Sequence, residues 1–257
     1  MARIIVINSG KGGVGKTTTA INLGAALNML DKEVVIVDAN LNTPNVGLQL
    51  GAPIVPVTLN HVLKGKATIE EAIYEHSSGT KIIPSSLSVK ELTKFNTKKI
   101  PEIVKQLREV CDFVIFDSAA GFGEEVMAVL GVADEIIIVT NPEMPAITDA
   151  LKTIKIAEKL KKNVLGVIMT KVKKNKIEMQ PETVKDMLEI PILGMIPDDI
   201  SISEALNYKD AVVHTHPKSM SSRAYKEIAS NLLGVDYNSD KDKESIIRRI
   251  MNKFHLK

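Results

Sequence analysis

The chain has 257 residues, of which 44% are hydrophobic and 25% charged, a composition typical of a globular protein with room for one large α/β domain. Its single cysteine, Cys111, excludes an internal disulfide and a metal cage built from the cysteines of one chain. The net charge is only +2, and no stretch approaches about 18 consecutive apolar residues, the length that indicates a membrane-spanning helix. The amino terminus leads from a short apolar run straight into a glycine loop, which indicates a first β-strand and no cleaved signal, so we expect a cytoplasmic protein.

Short apolar runs alternate along the chain with segments of helical period. The runs are rich in Ile and Val, as buried parallel strands are. They are Ile4–Ile7, Val34–Val37, Phe113–Phe116, Ile136–Val139, Val164–Met169 and Ile192–Ile196. Helical spacing appears between them, for example at Ile147, Leu151 and Ile154. The alternation predicts an α/β fold with a doubly wound, mostly parallel sheet and helices on both faces.

A glycine-rich segment joins the first predicted strand to the first predicted helix. Its residues satisfy the pattern G-x-x-x-x-G-K-[ST], whose glycines let backbone N–H groups converge on phosphate oxygens at a helix N-terminus. The candidate nucleotide-binding residues here are Gly10, Lys11, Gly12, Gly13, Val14, Gly15, Lys16, Thr17 and Thr18. Lys16 is predicted to reach the β- and γ-phosphates, Thr17 to ligate Mg²⁺, and Thr18 to reach the α-phosphate. The predicted ligand is ATP or ADP with Mg²⁺.

Two of the predicted strands end in an acidic residue. Asp117 follows the apolar run from Phe113, which is the Walker B pattern, and we expect its carboxylate to hold Mg²⁺ through water. Asp38 ends the run from Val34 in the same form and is a second candidate. The carboxyl ends of parallel strands face the ligand crevice, so Thr17, Asp38 and Asp117 form the predicted metal site. Either acid could instead cap a helix, and that alternative stays open.

The second residue of the loop narrows the interpretation. The form KGGVGKTT, with Lys11 directly after the first glycine, resembles the deviant Walker A ATPases of the ParA/MinD superfamily, and within it the MinD branch. Further segments echo that branch in the same order: VDANLNTPNVGLQLG, VIFDSAAGF, IIIVTNPE and GMIPDD. The resemblance covers roughly residues 1–235.

The resemblance implies roles for individual residues. Lys11 is the signature lysine, which in the family reaches across an ATP-dependent homodimer to the partner's phosphates. Pro44 and Asn45 belong to the first switch region. The family holds the adenine base where this chain has Pro197 and Asp198, and Thr170 stands where some members place a base-reading asparagine. An unidentified regulatory protein is the implied further partner.

One residue departs from the family pattern. After the second strand, members typically read D-x-D, and the second acid is associated with orienting the attacking water. This chain reads Asp38-Ala39-Asn40. The candidate catalytic residues are therefore Lys11, Lys16, Asp38 and Asn40, and we expect ATP hydrolysis to be slow because Asn40 has no charge.

The net charge lies in the tail. From residue 236 onward there are six basic and four acidic side chains, which leaves 27 of each sign in the body. Residues 236–244 are polar and turn-prone, and we predict a linker there between an ATPase domain at 1–235 and a final segment at 245–257.

The final segment has the pattern of a short basic amphipathic helix. Its apolar residues form one helical stripe. They are Ile246, Ile247, Ile250, Met251 and Phe254. Arginines and lysines interrupt the stripe, and no acid follows Glu244. Such a helix lies in the interface of an anionic membrane, so we expect peripheral attachment to the inner face of the cell membrane. A helix packed on the body, or a frayed basic end, is the alternative.

These patterns favour a slow ATP switch that dimerises with ATP, attaches to the membrane and positions cell-division or other cellular machinery. Iron–sulfur carriers share the loop but need paired cysteines, which the single Cys111 does not supply. A ParA-like DNA-partitioning ATPase is the main alternative, although a neutral body argues against nucleic acid as a partner. The non-enzymatic alternative is a scaffold that binds ATP and barely hydrolyses it.

Overall fold

The computed structural model describes residues 1–88, 96–173, 175 and 177–237. The strands are β1 (Arg3–Asn8), β2 (Val34–Ala39), β3 (Tyr74–Glu75), β4 (Lys81–Ile83), β5 (Phe113–Ser118), β6 (Glu135–Thr140), β7 (Asn163–Val172) and β8 (Ile192–Pro197). The helices are α1 (Lys16–Met29), α2 (Val46–Gln49), α3 (Leu59–Leu63), α4 (Ile100–Val110), α5 (Glu124–Val132), α6 (Met144–Lys159), α7 (Pro181–Leu188), α8 (Ile200–Asn207), α9 (Val212–Thr215) and α10 (Met220–Leu233).

Within these residues the strands form one eight-stranded sheet in the order β3-β4-β2-β5-β1-β6-β7-β8. Neighbouring strands are parallel, except that β3 and β4 are antiparallel. The predicted doubly wound, mostly parallel sheet is confirmed, and so are the six predicted strands. β3 and β4 were not predicted, because runs of two and three residues are too short to give a recognisable apolar period.

Both faces of the sheet are buried. Ile4 and Val6 of β1 belong to one apolar cluster, whereas Ile5 and Ile7 belong to the other, because successive side chains of a strand point to opposite faces. Helices α3 to α7 contribute to the first cluster, and α1, α9 and α10 contribute to the second. Burial on both faces is the reason that these strands are continuous apolar runs in the sequence.

The sheet brings the predicted site residues to one edge. β1, β5 and β2 are adjacent, and in the β2–β5 register Asp38 lies opposite Asp117. The loop that leaves β1 reaches α1 at the same edge. This is the carboxyl edge of the sheet, where open α/β folds hold their ligands.

The predicted linker (236–244) and membrane helix (245–257) lie outside the described residues, apart from residues 236 and 237. Among the helices that are described, none combines the length and the apolar character that crossing a membrane requires.

Candidate nucleotide-binding site

The glycine loop has the backbone conformation of an anion-binding turn. Gly13 and Gly15 have φ angles of 76° and 93°, in the left-handed region that side chains rarely adopt. Gly15 directly precedes Lys16, the first residue of α1. The N–H groups of the first helical turn have no partner within the helix, and the helix dipole favours an anion there.

Gly10 and Gly12 occupy different surroundings. A Cβ atom added to Gly10 would lie 2.4 Å from the carbonyl oxygen of Asp149 and 2.5 Å from its Cβ, so only glycine lets α6 approach the start of the loop. A Cβ atom at Gly12 would meet nothing within 4 Å. The loop is therefore packed at its beginning and open in its middle.

Three predicted site residues meet where the loop enters α1. The side chain of Lys16 is buried, with 8% of the residue exposed. Burial lowers the pKa of its ammonium group, and the charge of Asp117 opposes that effect. The hydroxyl of Thr17 donates a hydrogen bond of 2.6 Å to Oδ2 of Asp117. Thr18 follows in the same helical turn and is partly buried.

Asp117 is fully buried at the end of β5. Burial raises the pKa of its carboxyl group to about 6, while the hydrogen bond from Thr17 and the charge of Lys16 oppose the rise. Its Oδ1 atom is buried without a hydrogen-bond partner among the described residues, which is unfavourable for such an acceptor. Carboxylate and hydroxyl oxygens are ligands that Mg²⁺ prefers, so Asp117 and Thr17 fit a magnesium ion at this point.

Asp38 lies beside Asp117 and is also fully buried. Burial raises the pKa of its carboxyl group well above the usual range, the charge of Asp117 raises it further, and backbone N–H donors lower it. Its Oδ2 accepts from the N–H groups of Asn45 (2.8 Å) and Val46 (2.9 Å), where α2 begins. The helix-cap alternative thus describes this carboxylate in the structure, and its predicted metal and catalytic roles stay predictions.

Asn40 closes a turn in the segment between β2 and α2. Its Oδ1 accepts from the hydroxyl of Thr43 at 3.0 Å and from the Thr43 N–H at 3.3 Å. Its own N–H donates to Oδ1 of Asp38 at 3.2 Å. An aspartate at this position could accept the same bonds, so the turn does not explain why the chain has asparagine.

Lys11 is placed differently from Lys16. It is exposed and lines a cleft of about 520 Å³ on the outer side of the loop, together with Glu143, Met144 and Asp198. The two lysines of the loop therefore face different surroundings, one inside the site and one at its rim.

The residues predicted to hold adenine lie at the ends of β7 and β8. Pro197 is in register with Val172, and the N–H of Asp198 donates to the Val172 carbonyl at 3.0 Å. Thr170 is 4% exposed, and its hydroxyl donates to the carbonyl oxygen of Val14 in the phosphate loop at 2.5 Å. The predicted adenine contacts stay predictions, but the hydroxyl of Thr170 has a different partner in this structure.

Two side chains outside the predicted site residues support the loop. Asn141 Nδ2 donates to the backbone carbonyl of Thr170 at 3.1 Å, and Lys171 Nζ donates to the carbonyl of Gly13 at 2.8 Å. Lys171 stands at the start of a lysine-rich run that is typical of a solvated loop. Its backbone has a φ of 55°, a left-handed conformation that the sequence gives no means of anticipating.

The comparisons with known proteins agree with this geometry. The ParA family model, described as an NUBPL iron-transfer P-loop NTPase, matches residues 1–233. An uncharacterized ATP-binding protein of Methanocaldococcus jannaschii is 37% identical over 253 residues, covering 98% of this chain and 96% of the relative.

Solved structures give the same result. The septum site-determining protein MinD of Pyrococcus horikoshii, complexed with Mg-ADP, is 34% identical with a TM-score of 0.86, over 90% of this chain and 96% of that one. A chain of the MinC:MinD cell division protein complex of Aquifex aeolicus is 30% identical with a TM-score of 0.84, over 92% of this chain and 98% of that one. The resemblance drawn from the loop is confirmed, and the chain belongs to the ParA/MinD superfamily of P-loop ATPases.

Proposed function

We propose that this chain is an ATP-driven switch of the MinD type. It binds ATP or ADP with Mg²⁺ at the glycine loop, dimerises with ATP, and hydrolyses ATP slowly. As a dimer it attaches to the inner face of the cell membrane and, through a regulatory protein, positions cell-division or other machinery. The Mg-ADP in the Pyrococcus relative and the MinC partner in the Aquifex complex support the ligand and the kind of partner.

The contrast between the two lysines of the loop carries the proposal. Lys16 is buried beside Asp117, where an ammonium group serves a phosphate within the same chain. Lys11 is exposed on the rim of an open cleft, where a phosphate of a facing subunit could reach it. A loop with one inward and one outward lysine suits a site that two chains complete together.

Attachment to the membrane depends on two weak anchors acting together. The tail at 245–257 carries a stripe of apolar side chains and four basic residues. One such anchor gives marginal, reversible binding, comparable to a single lipid chain, and each basic residue adds about 1 kcal/mol near an anionic surface. Two tails in one dimer make the second insertion intramolecular, which raises avidity by about a hundredfold or more.

Hydrolysis in this chain proceeds without the usual second acid. A carboxylate near the attacking water orients it and accepts its proton, and such assistance is typically worth about 10²–10⁴-fold. Asn40 can accept a hydrogen bond but carries no charge, and Asp38, the nearest carboxylate, is bonded to three backbone N–H groups. A long-lived ATP dimer follows from this arrangement.

The two lysines are expected to fail differently on substitution. Lys16→Ala should weaken nucleotide binding by about tenfold or more, since a hydrogen bond to a charged group contributes about 1.5–3 kcal/mol. Lys11→Ala should bind ATP nearly normally yet remain monomeric with it. Nucleotide affinity and light scattering measure the two effects, with Lys105→Ala on the exposed face of α4 as the control. Equal loss of ATP affinity in both loop variants contradicts the role of Lys11 in the facing subunit.

Membrane binding should require both ATP and the tail. Full-length chain should sediment with phosphatidylglycerol vesicles in ATP and much less in ADP. Deletion of residues 245–257 should abolish this while sparing ATP binding. The double variant Ile247→Gln, Phe254→Gln keeps every charge and should also lose binding, because the apolar stripe is interrupted. Vesicle binding by the deleted chain rules out the tail as the anchor, and ATP-dependent binding to duplex DNA by the full chain supports the ParA-like alternative.

Restoring the second acid should speed hydrolysis. Asn40→Asp should raise the single-turnover rate by roughly a hundredfold, the low end of general-base effects, because phosphoryl transfer depends mostly on positioning. Asn40→Ala is the matched control, because it removes the hydrogen bonds to Thr43 without adding charge. If the single-turnover rates of the wild type and Asn40→Asp agree within about twofold, instead of differing by about 10², residue 40 does not limit hydrolysis.

A further inference from the structure

The phosphate loop is hydrogen-bonded to the end of β7, which is in turn hydrogen-bonded to the residue after β6. Thr170 is buried at the end of β7, and the shorter contact of its hydroxyl is the 2.5 Å hydrogen bond to the carbonyl of Val14, against 3.2 Å to the carbonyl of Thr140. Asn141, just after β6, donates to the Thr170 carbonyl at 3.1 Å and lies 3.4 Å from its hydroxyl oxygen. Thr170 is therefore fixed from both sides, as acceptor from Asn141 and as donor to the loop.

A second bond fixes the neighbouring peptide of the loop. The ammonium group of Lys171 donates to the carbonyl of Gly13 at 2.8 Å. The left-handed backbone of Lys171, with φ of 55°, accompanies this contact at the end of β7. Two consecutive carbonyls of the loop, those of Gly13 and Val14, are thus bonded to two consecutive residues of one strand.

Holding these carbonyls orients the N–H groups that follow them. In a planar trans peptide the carbonyl and the next N–H point in opposite directions. With the Gly13 and Val14 carbonyls directed toward β7, the N–H groups of Val14 and Gly15 point away from β7. Phosphate loops bind anions through such N–H groups, and a carbonyl turned the other way would repel the phosphate.

We propose that Thr170 and Lys171 are positioning residues, which set the phosphate loop in its anion-binding form, and that the Thr170 hydroxyl does not read the base. The burial of Thr170 against the loop, with 4% exposed, leaves its side chain little surface for a base. The proposal rests on nucleotide binding at the loop, as in the proposed function, and does not depend on dimerisation or membrane attachment.

The test separates positioning of the loop from recognition of the base. Thr170→Val removes the hydroxyl at nearly constant shape, and Thr170→Ser retains it. Affinities for Mg-ADP and Mg-GDP are measured for the wild type and both variants, with thermal unfolding of the nucleotide-free chain as the folding control. Thr170→Val should lower the affinities for ADP and GDP by the same factor, about two- to tenfold for one neutral hydrogen bond. Thr170→Ser, which retains the hydroxyl, should restore both affinities.

Two results overturn the role of Thr170. A changed ratio of ADP to GDP affinity in Thr170→Val assigns the hydroxyl to the base. Unchanged affinity for both nucleotides means that the loop does not need the bond. If neither the wild type nor any of the variants binds a nucleotide, the proposed function is contradicted instead.

Lys171 supplies an independent arm that does not disturb a buried side chain. Lys171→Met should lower the affinities for both nucleotides without changing the ratio of the two affinities. The control is Lys159→Met, which removes the same charge from an exposed lysine at the end of α6, outside the cleft that the loop lines. An equal loss in the two lysine variants assigns the effect to charge alone and overturns the positioning role of Lys171.

Discussion

Two carboxyl groups buried side by side at the carboxyl edge of the sheet are the constraint on which the site depends. Asp38 and Asp117 are opposite each other in the β2–β5 register, and both are fully buried. Two adjacent buried charges are unfavourable unless each finds a partner. The two carboxyl groups have different partners. Asp38 accepts hydrogen bonds from backbone N–H groups. Asp117 accepts one from the Thr17 hydroxyl and lies near the charge of Lys16, and its Oδ1 atom has no hydrogen-bond partner among the described residues.

The two acids therefore have different surroundings. The unpartnered oxygen of Asp117 gives a reason for a cation to bind there, beside the loop that receives phosphates. Asp38 instead ties the start of α2 and the turn at Asn40 to the end of β2. The charge of Asp117 acts on the Asp38 carboxyl group, which accepts from three backbone N–H groups of the Asn40–Val46 segment.

The sequence predicted the parts of the fold and site that depend on local pattern. Continuous Ile/Val runs predicted the parallel strands because both faces are buried, and the spacing of Gly10 to Thr17 predicted the loop because glycines and a helix start suffice to bind phosphate. Contacts between distant segments could not be predicted. The bond from Thr170 to Val14 joins residues 156 positions apart, and the partners of Asp38 depend on how residues 40–46 return over β2. The same limit applies to β3 and β4, whose pairing is decided by the sheet and not by their own few residues.

The most direct measurement tests whether the buried carboxylate of Asp117 binds Mg²⁺. Thermal unfolding is followed for the wild type and Asp117→Asn in three states: without nucleotide, with ADP and EDTA, and with Mg-ADP. Asparagine keeps an acceptor for Thr17 but removes the buried charge. Without nucleotide, the variant should have the same melting temperature as the wild type or a higher one. Each kcal/mol of relieved repulsion should raise the melting temperature by about 2–4 °C. The extra stabilisation that Mg²⁺ gives the wild type with ADP should be absent from the variant, whereas Asp186→Asn on the exposed side of α7 should keep it. A variant that retains the magnesium-dependent gain, or that is less stable than the wild type without nucleotide, contradicts the role of Asp117 as the buried charge that binds the cation.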